Sequence, residues 1–322
     1  MESRTYARVL LALIEVSAAT VMAQDYPQRP IRMIVPFPPG GVTDVLARIL
    51  GAKLGERLGQ QVVIDNRAGA SGIIGTDMVA KSQPDGHTLL MSASSHATFS
   101  SLYSKVPFDA VRDFAPITLA ATVPYVMVVH PTLPVKSVKE LIDYAKKNPG
   151  KLSYAGSAPG LAQHLGWELF KRMTGTNMVY VPYKGSAAQM PDLLGGRLQA
   201  ALDSVSIMMP HLKTGALRGI AVAGAKRSTL LPDLPTIAEA GVPGFQVSGW
   251  FGLFAAAKTP ARIVNKLNQE VGLIMQQPDV RERMAVLAIE PVGGPPDDLR
   301  KWVARETEVW GKVIRDAGVK VE

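Results

Sequence analysis

The feature that most constrains this chain is the alternation of short apolar runs with longer segments whose apolar residues recur at helical spacing. Residues 31–35 form an apolar run that stops at Pro36, and residues 42–58 then show helical spacing up to Gly59. Residues 61–65 return to a strand-like pattern. A strand, a loop, a helix and a second strand form the βαβ unit of a parallel sheet, so this segment predicts an α/β fold.

The same alternation continues towards the carboxyl end of the chain. It predicts further strands over residues 87–93, 152–156, 178–182, 198–203 and 217–223, and further helices over residues 71–82, 161–173, 186–194, 207–213 and 297–317.

Two long extended segments, residues 122–130 and 245–256, stand apart from this alternation. In two-lobed α/β proteins such segments can cross between the lobes, and a length of 322 residues favours two packed domains over one. We therefore expect one lobe from residues 26–122 plus 251–322 and an inserted lobe from residues 123–250. Each lobe is expected to hold a mostly parallel sheet flanked by helices.

The first 23 residues have the pattern of a cleaved secretory signal. Arg4 and Arg8 precede an apolar stretch, and Val21-Met22-Ala23 has the small residues of a signal-peptidase site. We expect cleavage before Gln24 and export of the mature chain. No later segment is long and apolar enough to span a bilayer, so the mature protein is expected not to be membrane-spanning.

The composition argues against several classes of function. The chain has no cysteine, which removes thiol nucleophiles, cysteine metal sites and disulfides. Its net charge is +8, but Lys and Arg are spread thinly, which argues against a nucleic-acid groove. The five histidines lack metal-ligand spacing, and no nucleophile-elbow, dinucleotide or phosphate-loop motif is present. We therefore expect no catalytic residues, no metal and no cofactor.

The loop Phe37-Pro38-Pro39-Gly40-Gly41-Val42-Thr43-Asp44 follows the first strand. Its glycines let the backbone approach a ligand, and the helix after it offers unpaired N–H groups and a partial positive charge. A carboxylate would bind well there without an arginine. An ordinary turn capped by Thr43 or Asp44 explains the same residues equally well.

Three more loops follow predicted strands, where α/β sheets bind ligands. Their hydroxyl, glycine and lysine groups could hold an anion, although surface turns would explain them too. A buried acid in such a pocket would repel an anion, so it would favour a ligand amine or hydroxyl, or serve as a helix cap. The candidate residues are Ser92 and Ser94, Ser157 and Ala158 with His164 one turn later, Tyr183 and Lys184, and the strand-end acid Asp203.

Several segments together resemble one known family. These are YPQRPIRMIVPFPPGGVTDVLAR, VVIDNRAGASGIIGTDMVAKSQPDGHTLL, LSYAGSAPGLAQHLGWELFK, VYVPYKGSAAQMPDLLGGRLQAALDS and GWFGLFAAAKTP. Their order is similar to that in the Bug (TctC-type) receptors, the extracytoplasmic solute-binding proteins of tripartite tricarboxylate transporters. The resemblance covers essentially the whole mature chain.

The resemblance implies a two-lobed periplasmic-binding-protein fold of the type II kind with a carboxylate site in the cleft between the lobes. It also implies a periplasmic location, a monomer and integral-membrane transporter subunits as partners. The ligand would be a di- or tricarboxylate, an acidic amino acid or an aromatic acid. The family's ligand-binding roles carry over to Phe37, Gly40, Gly41, Thr43, Asp44, Ser157, Ala158, Tyr183, Lys184 and Asp203, with His164 nearby. In the strand-end segment MSASSHA, two serines stand where the family often has Asn or Gly.

The leading hypothesis is therefore a receptor that closes on a small carboxylate and delivers it to a membrane transporter. A ligand-sensing co-receptor for a signalling protein would have the same pocket. A secreted enzyme acting on an organic acid through Ser157 or His164 is the remote alternative.

Overall fold

A computed structural model describes residues 26–156, 160–183 and 185–319 of the chain. The predicted signal segment, residues 1–23, lies outside the described residues. Within these ranges, none of the helices combines the length and the apolar character that a bilayer crossing needs.

The described residues alternate between strands and helices. The strands are β1 (Ile31–Val35), β2 (Val62–Asn66), β3 (Thr88–Ala93), β4 (Phe114–Val129), β5 (Ser153–Ala155), β6 (Val179–Tyr180), β7 (Ala200–Ser204), β8 (Arg218–Val222), β9 (Ser248–Ala256) and β10 (Glu290–Pro291). The helices are α1 (Val42–Leu58), α2 (Ile73–Ala80), α3 (Phe99–Leu102), α4 (Val138–Lys147), α5 (Ala162–Thr174), α6 (Ser186–Leu194), α7 (Val205–Lys213), α8 (Ala261–Ile274), α9 (Pro278–Val286) and α10 (Pro296–Ala317).

The first lobe is built on the sheet order β2-β1-β3-β9-β4. β1 pairs in parallel with β2 and β3, whereas β9 runs antiparallel to β3 and β4. β1 is apolar along most of its length because its central residues are buried, as expected for a strand covered on both faces. α1 follows it and ends at Gly59, which takes the left-handed conformation that glycine adopts without strain.

The second lobe continues the sheet as β4-β7-β5-β6, with β8 also paired to β4. β5 lies parallel to β6 and β7, so the carboxyl ends of these three strands share one edge. The helices α5, α6 and α7 begin just after these strands. Their amino-terminal ends therefore gather at the same edge of the sheet.

β4 and β9 connect the two lobes, which together form the two-lobed α/β fold that the sequence predicts. β4 pairs with β9 from Phe114 to Pro124 and with β7 and β8 from Tyr125 to Val129. The strand is longer than predicted, since it begins at Phe114 rather than near residue 122. We propose the lobe boundaries 26–122 plus 251–322 and 123–250. They follow from the point within β4 at which pairing with β9 gives way to pairing with β7 and β8.

Candidate ligand-binding cleft

A cavity of about 550 Å³ lies where the carboxyl ends of β1, β3 and β7 face one another. Its first wall comes from the loop before α1 and the turn after β3. Its second wall comes from the starts of α5, α6 and α7, and its floor comes from β4 and β9. The cavity therefore lies between the lobes, and strand-end loops line it, as is usual for ligand sites in α/β folds.

The start of α1 forms the centre of the first wall. Phe37, Gly41 and Thr43 line the cavity, and Gly41 is the N-cap of α1 without a side-chain capping bond. The N–H groups of a first helical turn have no partner within the helix, and the helix dipole adds a partial positive charge there. This end of α1 can therefore hold an anion through backbone groups.

Asp44 is buried in the first turn of α1 but is not among the residues that line the cavity. Its carboxylate accepts hydrogen bonds from the Gly40 N–H at 2.9 Å, from Arg48 at 3.0 Å and from Asn66 at 3.0 Å. Burial raises its pKa, yet these hydrogen bonds outweigh burial and hold the pKa below its usual range. Asp44 therefore fastens the loop through Gly40, but it does not cap α1, whose N-cap is Gly41.

The turn after β3 adds hydroxyl groups to the first wall. Ser94 and Ser95 line the cavity, and the Ser95 hydroxyl is buried without a hydrogen-bond partner among the described residues. Ser92 does not line it: its hydroxyl lies 3.4 Å from Nδ1 of His96. His96 Nε2 in turn lies 2.9 Å from the Ala110 carbonyl oxygen. The Ser95 hydroxyl is itself buried, so Ser95 borders the cavity through its other atoms.

Asp203 lies in the second wall, where β7 ends. Its side chain is fully buried and accepts hydrogen bonds from the Ser204 N–H at 2.7 Å and from Gln189 at 2.7 Å. Burial raises the pKa of Asp203, and hydrogen bonds from Ser186, Ser204, Gln163 and Gln189 partly oppose that shift.

His164 is buried and supports the second wall without lining the cavity. Its Nδ1 accepts the Gly160 N–H at 3.0 Å, and its ring stacks on Tyr180 with centroids 3.8 Å apart. Burial lowers its pKa to about 4, against the opposing influence of Glu168. The hydrogen bond from the Gly160 N–H requires a neutral imidazole ring with a free lone pair on Nδ1.

The other second-lobe candidates fall into two groups. The Tyr183 hydroxyl donates to Asp192 at 2.6 Å and is not among the residues that line the cavity. Ser157, Ala158 and Lys184 lie outside the described residues.

The floor of the cavity is aromatic. Tyr125 and Trp250 line it, and Trp250 Nε1 donates to the Glu306 carboxylate at 3.2 Å. Burial and the nearby acids Asp203 and Glu306 raise the pKa of Tyr125 well above its usual value, so it stays a neutral hydroxyl.

Among the described residues, no Lys, Arg or His lines the cavity, and no three His, Asp or Glu side chains are grouped as metal ligands.

The chain was compared with known proteins. Residues 46–319 match the family model described as Tripartite tricarboxylate transporter family receptor. The chain belongs to this family. Within the family it is 42% identical to Protein BugT of Bordetella pertussis over 307 residues, which cover 95% of this chain and 94% of that protein.

Two solved structures resemble this fold closely. One, described as R. palustris Rpa4515 with adipate, is 41% identical with a TM-score of 0.82 and covers 92% of this chain and 100% of that one. Another, described as MatC (Rpa3494) from Rhodopseudomonas palustris with bound malate, is 32% identical with a TM-score of 0.77 and covers 90% and 100%. Both are similar to this chain over nearly its whole described length.

Sequence reasoning missed several residues that line the cavity. Ser95 is next to a candidate, but only the turn shows that its hydroxyl lacks a partner. Other lining residues that were not candidates include Tyr125, Gln163, Ser186, Ser204, Trp250 and Phe251. Ser204 could have been predicted because it follows the predicted strand 198–203. The floor residues lie within strands, so no loop signal marks them.

Proposed function

We propose that this chain is a periplasmic receptor that binds a small carboxylate between its lobes and delivers it to the membrane subunits of a tripartite transporter. The observation that carries the proposal is the first wall of the cleft. There, the start of α1 lines the cavity at Gly41 and Thr43 and has no side-chain capping bond. The family assignment and the adipate and malate named for two similar receptors support a carboxylate as the ligand.

The available donors are sufficient for useful affinity. A hydrogen bond to a charged group contributes about 1.5–3 kcal/mol. Micromolar binding needs about −8 kcal/mol, so four to six such bonds are enough before ordering costs. Lobe closure would act as a hinge at β4 and β9, the two strands that join the lobes.

The side chains around the cleft favour binding over chemistry. His164 uses its Nδ1 to hold Gly160, and His96 faces Ser92 and the Ala110 carbonyl rather than the cavity. Neither histidine is placed as a base for a hydroxyl that lines the cavity. We propose that the receptor is not an enzyme and that residues 1–23 direct its export. A sensing role would use the same cleft and differ only in its partner.

The test is isothermal titration calorimetry of residues 24–322 with a panel of small carboxylates, after native mass spectrometry of the protein as purified. A Gly41→Leu variant places bulk at the start of α1, where an added Cβ meets only the Pro38 oxygen at 3.9 Å. We expect this variant to fold and to lose binding at least tenfold.

Gly272→Leu is the matched control. Gly272 lies in α8, and a Cβ there meets nothing within 4 Å. The Gly272→Leu variant should bind carboxylates like the wild type. Binding that survives Gly41→Leu unchanged, or a panel in which only uncharged compounds bind, would contradict the proposal.

A further inference from the structure

The Asp203 carboxylate in the second wall spends its acceptor capacity on the protein itself. The residue is fully buried. One oxygen accepts the Ser204 N–H at 2.7 Å, and the other accepts Gln189 Nε2 at 2.7 Å. The Ser186 side chain adds a further hydrogen bond. Asp203 therefore acts on a ligand only through the side chains that it holds in place.

One of these side chains, Gln163, reaches the cavity. Gln163 lies in the first turn of α5, lines the cavity and is half-buried. Its Nε2 lies 3.5 Å from one Asp203 oxygen. Gln189, in contrast, is fully buried and is not among the residues that line the cavity. Gln163 is therefore the amide partner of Asp203 that a ligand in the cavity can contact.

The contact with Asp203 determines which end of the Gln163 amide lies where. An ionised carboxylate only accepts hydrogen bonds, so it attracts the NH2 end of the amide and repels the oxygen. The NH2 group carries two N–H donors, and one of them is directed to Asp203. In the described part of the chain, the Gln163 side chain makes no second hydrogen bond. Its other N–H remains available to an oxygen atom in the cavity.

The charge of Asp203 is partly offset where it lies. Gln163 is in the first turn of α5, Ser186 begins α6, and Ser204 is the N-cap of α7. All three hydrogen-bond Asp203, and each helix start carries a partial positive charge. The second wall therefore combines a compensated buried acid with a neutral donor in front of it, which lets an anionic group approach.

Building on the proposed carboxylate receptor, we propose that Gln163 binds a second carboxylate of the ligand and that Asp203 is the positioning residue that orients the Gln163 amide. The first carboxylate lies at the start of α1, on the opposite wall. Hydrogen bonds to an ionised acceptor are stronger than those to a neutral one. An acid with a single carboxylate leaves the Gln163 donor unused, so Gln163 favours diacids over monoacids of the same length.

The first test compares matched ligands on the wild-type mature chain by isothermal titration calorimetry at pH 8. The pairs are succinate and butanoate, adipate and hexanoate, and terephthalate and benzoate, and the deciding pair is the one whose diacid binds most tightly. We expect that diacid to bind at least about tenfold more tightly than its monoacid. A monoacid that binds as tightly overturns this inference and leaves carboxylate binding in place. If no acid binds, the proposed function fails and this inference fails with it.

The second test assigns the preference to Gln163. Gln163→Met keeps an unbranched side chain of similar length and removes the amide. Diacid affinity should fall about tenfold, and monoacid affinity should change less than about twofold. Gln269→Met is the matched control, because Gln269 is exposed in α8, and it should change neither affinity. An equal loss for both members of the pair in Gln163→Met overturns the contact with the second carboxylate.

The third test asks whether Asp203 acts through Gln163. Asp203→Asn is measured in the wild type and in Gln163→Met. Loss of the charge acts in both backgrounds, whereas loss of the amide orientation acts only where Gln163 is present. Asp203→Asn should therefore weaken diacid binding at least about fivefold more in the wild type than in Gln163→Met. Equal effects in the two backgrounds overturn the positioning role.

A measurement on the wild type covers the case in which Asp203→Asn fails to fold. The side-chain amide signal of Gln163 in the NMR spectrum is assigned by its absence in Gln163→Met. Its protons should exchange with solvent more slowly than those of Gln269 before ligand is added, and the signal should shift when the diacid binds. Exchange as fast as that of Gln269 overturns the positioning role, and an unshifted signal overturns the ligand contact.

Discussion

Two aspartates with similar sequence surroundings behave differently at the residue scale. Asp44 and Asp203 both lie where a strand passes into a helix, and both are buried. Asp44 has a cation, Arg48, as a partner, whereas Asp203 is held by neutral donors. A buried acid with a cation has its pKa held low, whereas burial raises the pKa of a buried acid that has only neutral donors.

The fastening role of Asp44 is testable by Asp44→Ala. The substitution removes the acceptor for the Gly40 N–H and for Asn66, and a hydrogen bond to a charged group contributes about 1.5–3 kcal/mol. We expect the free energy of unfolding to fall by roughly 2–3 kcal/mol and carboxylate affinity to fall as the loop loosens. Urea denaturation and calorimetry measure the two effects.

Asp297→Ala is the control for this change, because Asp297 forms an exposed ion pair with Lys301 at 2.8 Å. Exposed pairs contribute at most about 1 kcal/mol. Equal losses of stability in the two variants would show that Asp44 has no special role.

Gly249 on the floor of the cleft has no room for a side chain. A Cβ added there would lie 2.6 Å from the Tyr125 hydroxyl and 3.1 Å from the ring carbon that carries it. Gly249→Ala should displace Tyr125, lower the free energy of unfolding by about 1–3 kcal/mol and weaken ligand binding. Gly272→Ala, in the open last turn of α8, should instead stabilise by up to about 1 kcal/mol. Chemical denaturation measures the free energy of unfolding of both variants. A Gly249→Ala variant as stable as the wild type would contradict the tight packing around Gly249.

At the scale of the element, His164 ties the start of α5 to the loop before it. Its Nδ1 can accept the Gly160 N–H only when the ring is neutral there. Burial lowers the pKa of His164 from 6.5 to about 4, so the unfolded chain binds this proton more readily than the folded chain. The charged groups near the ring are Glu168, with an oxygen 3.7 Å from Nε2, and Lys171, which pairs with Glu168.

It follows that His164 contributes its full stability above about pH 6.5 and loses it as the pH falls towards 4. The slope is at most about 1.4 kcal/mol per pH unit for one histidine. His164→Gln keeps an acceptor for Gly160 and cannot titrate. Its free energy of unfolding should fall less than that of wild type between pH 6.5 and 5, and equal slopes would contradict the prediction.

Elements bounded by local signals could be predicted from the sequence, and those set by long-range pairing could not. β1 ends at Pro36, and α1 and α10 stop at Gly59 and Gly318, which take the left-handed conformation. The first half of β4, residues 114–121, was missed. It is paired with β9 and largely buried, and its register shifts near Pro116, so it has no alternation of apolar and polar residues.

The same distinction applies to the site. The glycine-rich loop before α1 was predicted because helix starts and positive-φ glycines have local signatures. Which side chains face the cavity was not, because Asp44, Ser92 and Tyr183 turn to partners that only the folded chain provides. Ser95 was missed for the same reason, since its lack of a partner is a property of the packed turn.

At the scale of the whole molecule, β4 and β9 run through both lobes and pair with each other along the crossing. A ligand that contacts both walls favours the closed arrangement by its differential affinity for that state. The floor of the cleft lies on these two strands, with Tyr125 on β4 and Trp250 on β9. Closure should therefore change the surroundings of the aromatic floor as well as the overall dimensions of the molecule.

The last prediction is that a carboxylate ligand both stabilises and compacts the receptor. At a free concentration of one hundred times Kd the expected stabilisation is about 2.7 kcal/mol, which raises Tm by roughly 4 °C in a chain of this size. Small-angle X-ray scattering on the same samples should show a smaller radius of gyration, and Trp250 fluorescence should change. Gly41→Leu, whose Kd should be at least tenfold higher, should be stabilised by at most about 1.4 kcal/mol at that ligand concentration. Stabilisation without compaction would mean that the ligand binds a cleft that is already closed, and would contradict the hinge at β4 and β9.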